Sequence, residues 1–156
     1  MKISYLADCH HETDKIAQWY FDEWAHTVPG VALEDVRKNV SLRARSRYDL
    51  PLIIVAHSAV DLVAAVELKV RESKQYPEYE HWLGGVFVSK SERGKGYSSS
   101  LIDEAKKHVR QLNIHTLYLQ CEQKNINLYL KQGFRVLHGA THNGVQTTIM
   151  SWNVNG

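Results

Sequence analysis

The stretch Arg93-Gly94-Lys95-Gly96-Tyr97-Ser98-Ser99 stands between an extended apolar run, Val86-Phe87-Val88, and an apolar-periodic segment that contains Leu101, Ile102, Ala105, Val109 and Leu112. An ordinary turn from strand to helix needs one glycine. Two glycines around a lysine let several backbone amides come close to one point, where the positive end of the helix dipole also lies. The first amides of a helix have no partner within it, so the natural occupant of such a point is a phosphate or pyrophosphate.

Three phosphate-binding loops compete for this stretch. A Walker A loop fails, because the spacing from Gly94 and the required Lys-Ser or Lys-Thr pair are both wrong. Gly94-Lys95-Gly96-Tyr97-Ser98-Ser99 nearly satisfies the dinucleotide fingerprint GxGxxG, with Glu122 at the end of the next extended run as a ribose-binding acid. That fold repeats parallel βα units, however, whereas here three extended runs with short connections precede the loop. The third loop takes Arg93 as its first member, Arg-x-x-Gly-x-Ser over Arg93 to Ser98.

The elements around the loop follow from periodicity. Met1 to Leu6 is expected to be a strand, and His11 to His26 a helix with Ile16, Trp19, Tyr20, Phe21 and Trp24 at helical spacing, ended by Pro29-Gly30. A second helix is expected over Leu33 to Arg47, with Leu33, Val36, Val40 and Ala44 as its stripe and Arg43, Arg45 and Arg47 on a solvated surface. LPLIIVAH and DLVAAVELKVRE form a hairpin, and WLGGVFV adds the third strand of an antiparallel meander. After the loop come a long amphipathic helix, the strand HTLYLQC, the short helix INLYLKQ closed by Gly133, and a hairpin of FRVLHGA with VQTTIMSW across Asn143-Gly144. The order is β-α-α-β-β-β-α-β-α-β-β in a single domain spanning residues 1–156: an α/β (α+β) class with a mixed, largely antiparallel twisted sheet flanked by helices.

Composition narrows the class. With 19 Lys and Arg against 17 Asp and Glu, the net charge of +2 argues against nucleic acid as the main partner. No apolar run approaches a membrane span, and the first residues lack a signal-peptide core, so a membrane is not expected. Two cysteines, Cys9 and Cys121, build no disulfide framework and suit a reducing cytoplasm. Cys9-His10-His11-Glu12 holds ligand-type residues at adjacent positions that point apart, and His138 and His142 do not share a helix face, so no metal is expected. The composition is compatible with a homodimer as well as with a monomer.

The loop and the chain around it resemble the GNAT superfamily of N-acetyltransferases. The superfamily's loop pattern is Gln/Arg-x-x-Gly-x-Gly/Ala, and Leu128-Tyr129-Leu130-Lys131-Gln132-Gly133-Phe134 looks like its helix-to-strand signature LYEKLGF. Element order agrees from about Met1 to Trp152, with the specific motifs confined to Val86 to Phe134. The departure is Ser98, small enough for the loop to close, where the pattern has glycine or alanine.

The resemblance implies acetyl-CoA as cosubstrate and direct acetyl transfer to an amine without an acyl-enzyme. The amides of Arg93, Gly94, Lys95, Gly96, Tyr97, Ser98 and Ser99 would then hold the pyrophosphate, with charge from Arg93 and Lys95. Val86, Phe87 and Val88 would lie along the pantetheine arm, with backbone groups offered by Val86 and Val88. An amide near Val88 would polarise the thioester carbonyl. Gly84-Gly85 independently marks a bulge or a close approach in that strand, the plainer alternative being relief of crowding in a twisted sheet. Tyr129 takes the place of the tyrosine that protonates the departing thiolate, against a plain packing role on the sheet. Many members have an asparagine that bonds the CoA arm; Glu122 and its neighbours stand there, and Asn125 is the candidate substitute, against plain solvent exposure. Glu67 and Glu80, with His81, are the candidate bases.

The acceptor is a small-molecule or peptide amine. Trp19, Tyr20, Asp22, Glu23, Trp24, Tyr76, Tyr79, Glu80 and Trp82 fall on elements that commonly wall this cleft, and aromatic plus acidic groups suit a cationic amine. The competing function is an acyl-CoA-binding sensor or interaction module without turnover.

Overall fold

Every residue from Leu52 to Ala56 and from Leu62 to Leu68 is buried, so these two runs do not alternate between core and solvent. A strand buried on both faces must lie between two layers. The computed structural model, which describes residues 1–154, shows those layers. The strands are β1 (Lys2–Tyr5), β2 (Leu52–Ser58), β3 (Asp61–Val70), β4 (His81–Val88), β5 (Thr116–Cys121), β6 (Arg135–His142) and β7 (Val145–Asn153). The helices are α1 (Thr13–Glu23), α2 (Leu33–Leu42), α3 (Tyr97–Gln111) and α4 (Ile126–Lys131).

On one face Leu52, Ile54 and Ala56 pack with Leu101, Ile102, Ala105 and Val109 of α3, and the same cluster continues through Leu117, Leu119, Tyr129, Phe134 and Met150. On the other, Ile53, Val55 and Ala65 pack with Ile16, Ala17 and Tyr20 of α1 and Val36 and Val40 of α2. The seven strands make one sheet in the order β1-β2-β3-β4-β5-β7-β6. All neighbours are antiparallel except β4 and β5. The sheet is therefore mixed and largely antiparallel, as the order of elements implies.

Two helices are shorter than their apolar spacing predicts. The first covers Thr13–Glu23 between 3-10 turns at His10–Glu12 and Ala25–Thr27. The second ends at Leu42 with Arg43 as its cap instead of running to Arg47. The Ser46 hydroxyl accepts from the amides of Tyr48 and Asp49, offering the backbone a turn in place of another helical turn. Arg43 consequently does not join a solvated helix surface: its side chain is three-quarters buried and meets Glu67. At the far hairpin Asn143 (φ 49°) and Gly144 (φ 79°) both adopt the left-handed conformation that a two-residue turn requires.

Leu101 is completely buried where α3 meets the sheet. Leu101→Ala is expected to lower the unfolding free energy by about 2–5 kcal/mol in a denaturant titration, the usual cost of such a cavity.

Candidate active site

The glycine loop lies where its sequence places it. Gly94 (φ 80°) and Gly96 (φ 87°) are both left-handed, and nothing stands within 4 Å of a Cβ built on either. They serve backbone direction, not close packing. Gly96 caps α3 with no side-chain bond to the helix start, and the first helical bond runs from the Ser100 amide to the Gly96 carbonyl at 3.1 Å. The amides of Tyr97, Ser98 and Ser99 thus precede the helical ladder and remain available to an anion. The Tyr97 ring is buried in the core beneath them, anchoring the first turn. Ser99 is tied from outside, its hydroxyl accepting from Gln132 Nε2 at 2.7 Å.

The two cations of the loop are held differently from its amides. Lys95 Nζ donates to Glu92 at 2.9 Å. Arg93 folds back, its Nε donating to the Val88 carbonyl at 3.0 Å and its guanidinium lying over the Phe87 ring. Arg93 therefore braces the exit of β4 as well as contributing charge near the loop.

β4 and β5 pair at a single position, Trp82 with Tyr118. Past that point the strands part, and among the described residues the edge of β4 that faces away from β3 has no strand beside it from Gly84 to Val88. The Ser89 amide donates to the Val63 carbonyl at 2.8 Å, and strand alternation then turns the backbone groups of Val88 toward the open edge. On its other edge β4 pairs with β3, but the register slips: Glu67 opposes Gly84 and Ala65 opposes Phe87, so Gly85 and Val86 together face Val66. Gly85 (φ 56°) is the left-handed member of this bulge. A Cβ there would meet the Tyr20 hydroxyl at 2.8 Å and Glu67 at 2.9 Å, so only glycine fits.

Beneath the bulge lies a buried polar group. The Tyr20 hydroxyl donates to the Gly85 carbonyl at 2.8 Å. Glu67, 3% exposed, lies 3.0 Å from Arg43 Nε and 3.9 Å from Lys69 Nζ. Burial and the Glu67 carboxylate hold the Tyr20 phenol well above its ordinary range, so it stays protonated and remains a donor. Glu80 is elsewhere. It pairs with Arg71 at 3.3 Å just before β4 begins, about 20 Å along the strand from Val86 at roughly 3.3 Å per residue. His81 is next to it, 4.0 Å from the Glu80 carboxylate.

Tyr129 on α4 is 8% exposed, packed edge-on to Phe134 within the core on the α3 face. Burial, with a smaller contribution from Cys121, raises its pKa, so its hydroxyl is a proton carrier throughout the neutral range. Asn125 directly precedes α4, at the end of a 3-10 turn, and its side chain makes no bond to the helix start. Burial pushes the Cys121 thiol up to about 11 and raises that of Cys9, so neither offers a ready thiolate.

The expected aromatic residues form two separate groups. Trp19 stacks on Phe87 at 4.8 Å and Trp24, 44% exposed, meets the edge of the same ring, near the glycine loop. Tyr79 stacks on Tyr118 at 4.2 Å and on Tyr76 at 5.3 Å, where β4 and β5 are still joined. His138 belongs to this second group, bonded to the Tyr79 hydroxyl at 2.9 Å, so it is not a free hairpin residue. The sequence reading missed Arg43 and the bonding role of Tyr20. The available signals were an arginine set between Val40 and Ala44 of a buried stripe, and a phenol on the same face as Ile16.

The GNAT acetyltransferase family model matches residues 13–134. Among curated proteins none matches the chain in sequence. An aminoglycoside 6'-N-acetyltransferase solved with coenzyme A superposes with a TM-score of 0.77 at 13% identity, over 99% of this chain and 97% of that one. The ribosomal-protein-alanine N-acetyltransferase of Brucella melitensis gives 0.76 at 19% identity, over 98% and 99%. A Salmonella typhimurium protein solved with its cofactor acetyl-CoA gives 0.71 at 19% identity, over 100% and 95%. These likenesses establish a shared fold, and with a family match over most of its length the chain belongs to the GNAT acetyltransferase family.

Proposed function

We propose that this protein moves the acetyl group of acetyl-CoA directly to a primary amine. The observation that carries the proposal is the opening of the sheet after Trp82 and Tyr118, which frees the β4 edge just ahead of a loop with two left-handed glycines and an uncapped helix start. The loop suits the pyrophosphate, since its glycines leave open space and, among the described residues, its amides from Gly94 to Ser99 lack partners, that of Arg93 donating to the Lys90 carbonyl. Acetyl-CoA, when bound, supplies the thioester whose acetyl carbon accepts the amine and whose thiolate departs.

The residues of the chain divide the work. The amides from Arg93 to Ser99 hold the pyrophosphate, and backbone groups of Val86 and Val88 receive the pantetheine arm along the open edge, with Phe87 beneath Trp19. The Val88 amide faces that edge and polarises the carbonyl as charge develops on its oxygen. Tyr129 gives its proton to the leaving sulfur. Asn125 adds a polar contact to the arm at the start of α4. The amine nitrogen forms its bond as carbon–sulfur breaks, and its spare proton passes to water. Glu80 is far along β4 from this point and Glu67 is held by Arg43 under the bulge, so neither is assigned as base.

The acceptor is a small-molecule or peptide amine. An aminoglycoside and a ribosomal-protein alanine occur among the acceptors named for proteins of this fold. Trp19 and Trp24 near the loop, with Tyr76, Tyr79 and Glu80 further off, favour a cation. Two free buried cysteines support a reducing, cytoplasmic setting.

Thiol release should be followed on mixing the protein with acetyl-CoA and a panel of spermidine, an aminoglycoside and a peptide with a free amino terminus. Amine-dependent release of CoA is expected, and binding without turnover across a broad panel would point to a sensor module. Gly96→Val, which puts a β-branched residue at φ 87°, should weaken CoA binding about tenfold or more in calorimetry, with the fold retained. Tyr129→Phe should lower kcat by about 10²-fold with little change in KM for acetyl-CoA. Because the Tyr129 pKa is raised from 10.0, the wild-type rate should show no loss from its ionisation between roughly pH 7 and 10. An unchanged kcat in that variant would remove Tyr129 from the mechanism.

A further inference from the structure

The peptide joining Gly85 to Val86 is planar, so its carbonyl and its N–H point in opposite directions. Its carbonyl is captured on the α1 face by the Tyr20 hydroxyl at 2.8 Å. The N–H of Val86 is thereby turned away from α1, on the bulge that borders the opening between β4 and β5. Tyr20 is itself confined. It is 6% exposed, Glu67 lies against it, and Glu67 is fixed in turn by Arg43 from the end of α2.

This arrangement has a cost that packing does not explain. Arg43 Nε and Glu67 Oε2 are 3.0 Å apart, yet both are buried and neither has an aligned hydrogen-bond partner among the described residues. Buried charges without full hydrogen bonding disfavour the fold, and an apolar pair of similar volume would fill the same space. The group also ties together three elements, α1, α2 and the β3–β4 pair, at the one position of β4 where only glycine fits.

We propose that Tyr20, held by the Glu67–Arg43 pair, is a positioning residue that sets the angle of the Gly85–Val86 peptide, so that the Val86 N–H donates to the acetyl carbonyl of bound acetyl-CoA. The Val86 amide then takes the carbonyl in place of that of Val88, which lies about 6.6 Å further along β4, and Glu67 works through Tyr20 without receiving a proton from the amine. The proposal rests on the acetyl-transfer reading, because it needs the thioester to lie at the bulge.

The infrared band of acetyl-CoA labelled at its carbonyl carbon reports polarisation of that bond and needs no acceptor. It should be recorded free and bound to wild type, Tyr20→Phe and Glu67→Gln, with CoA affinity measured in parallel. In wild type the band is expected at lower frequency than in solution. In Tyr20→Phe most of that displacement should be lost while CoA affinity stays within about twofold, since the oxyanion donor is misdirected and the pyrophosphate loop untouched. Glu67→Gln should lose part of it in the same direction, and it carries the same readout if Tyr20→Phe does not fold. A displaced band that is identical in both variants overturns the positioning role and leaves acetyl transfer standing, which is also the result expected of a Glu67 that acts only as a base. No band displacement in wild type despite binding overturns the positioning role as well. Failure of the wild-type protein to bind acetyl-CoA overturns both proposals.

Discussion

Two parallel strands that meet at one residue pair and then part govern the architecture of this protein. Trp82 and Tyr118 join the halves of the sheet, with β1 to β4 on one side and β5, β7 and β6 on the other. A sheet interior normally has no room for a ligand, because each strand edge is satisfied by its neighbour. Parting the strands turns backbone groups of β4 toward the gap without a strand partner, and of these the Val88 carbonyl is taken by Arg93 Nε. In the proposed function a pantetheine arm, with amides of its own, takes the place of the missing strand.

The separation has to be held from both faces. On the α3 face the apolar cluster runs without interruption from β2 through Leu101 and Ile102 to Leu117, Leu119 and Met150, so the halves share one core although their strands diverge. At the joined end, Tyr79 lies on Tyr118 and bonds His138, tying the loop before β4 to β5 and β6. At the open end, Arg93 closes on the Val88 carbonyl and the Phe87 ring, which ties the end of β4 to the glycine loop.

The bulge at Gly85 connects the α1–α2 layer to β4 beside the opening in the sheet. Those helices cover β2 and β3 with mostly apolar residues and reach β4 through the Trp19–Phe87 stack, but at the bulge the contacts become polar: Tyr20 to the Gly85 carbonyl, and Arg43 to Glu67 of β3. A polar contact fixes direction, which an apolar one does not, since a hydrogen bond weakens steeply as its angle opens. Helix packing on one side of the sheet thus determines where a peptide group points on the other.

The sequence by itself determined the element order, the glycine loop and the placement of Tyr129. These rest on local chemistry: helical or alternating apolar periodicity, the left-handed conformation that glycine permits, and short motifs whose members are neighbours in the chain. It also marked Gly84-Gly85 as a break in a strand. Only the tertiary structure decided that Gly85 carries the bulge, that Arg43 turns inward to Glu67, that Tyr20 bonds β4, and that Glu80 pairs with Arg71 ahead of β4 while Glu67 lies in β3 beneath the bulge. Each of those depends on residues distant in sequence meeting across layers. A helix ending five residues early, at Leu42 instead of Arg47, was enough to convert an apparent surface cation into a buried partner. Periodicity specifies which face of a helix is buried, but where the helix stops, and what its last side chain then reaches, depends on competing turn bonds such as those of Ser46 and on the layer beneath.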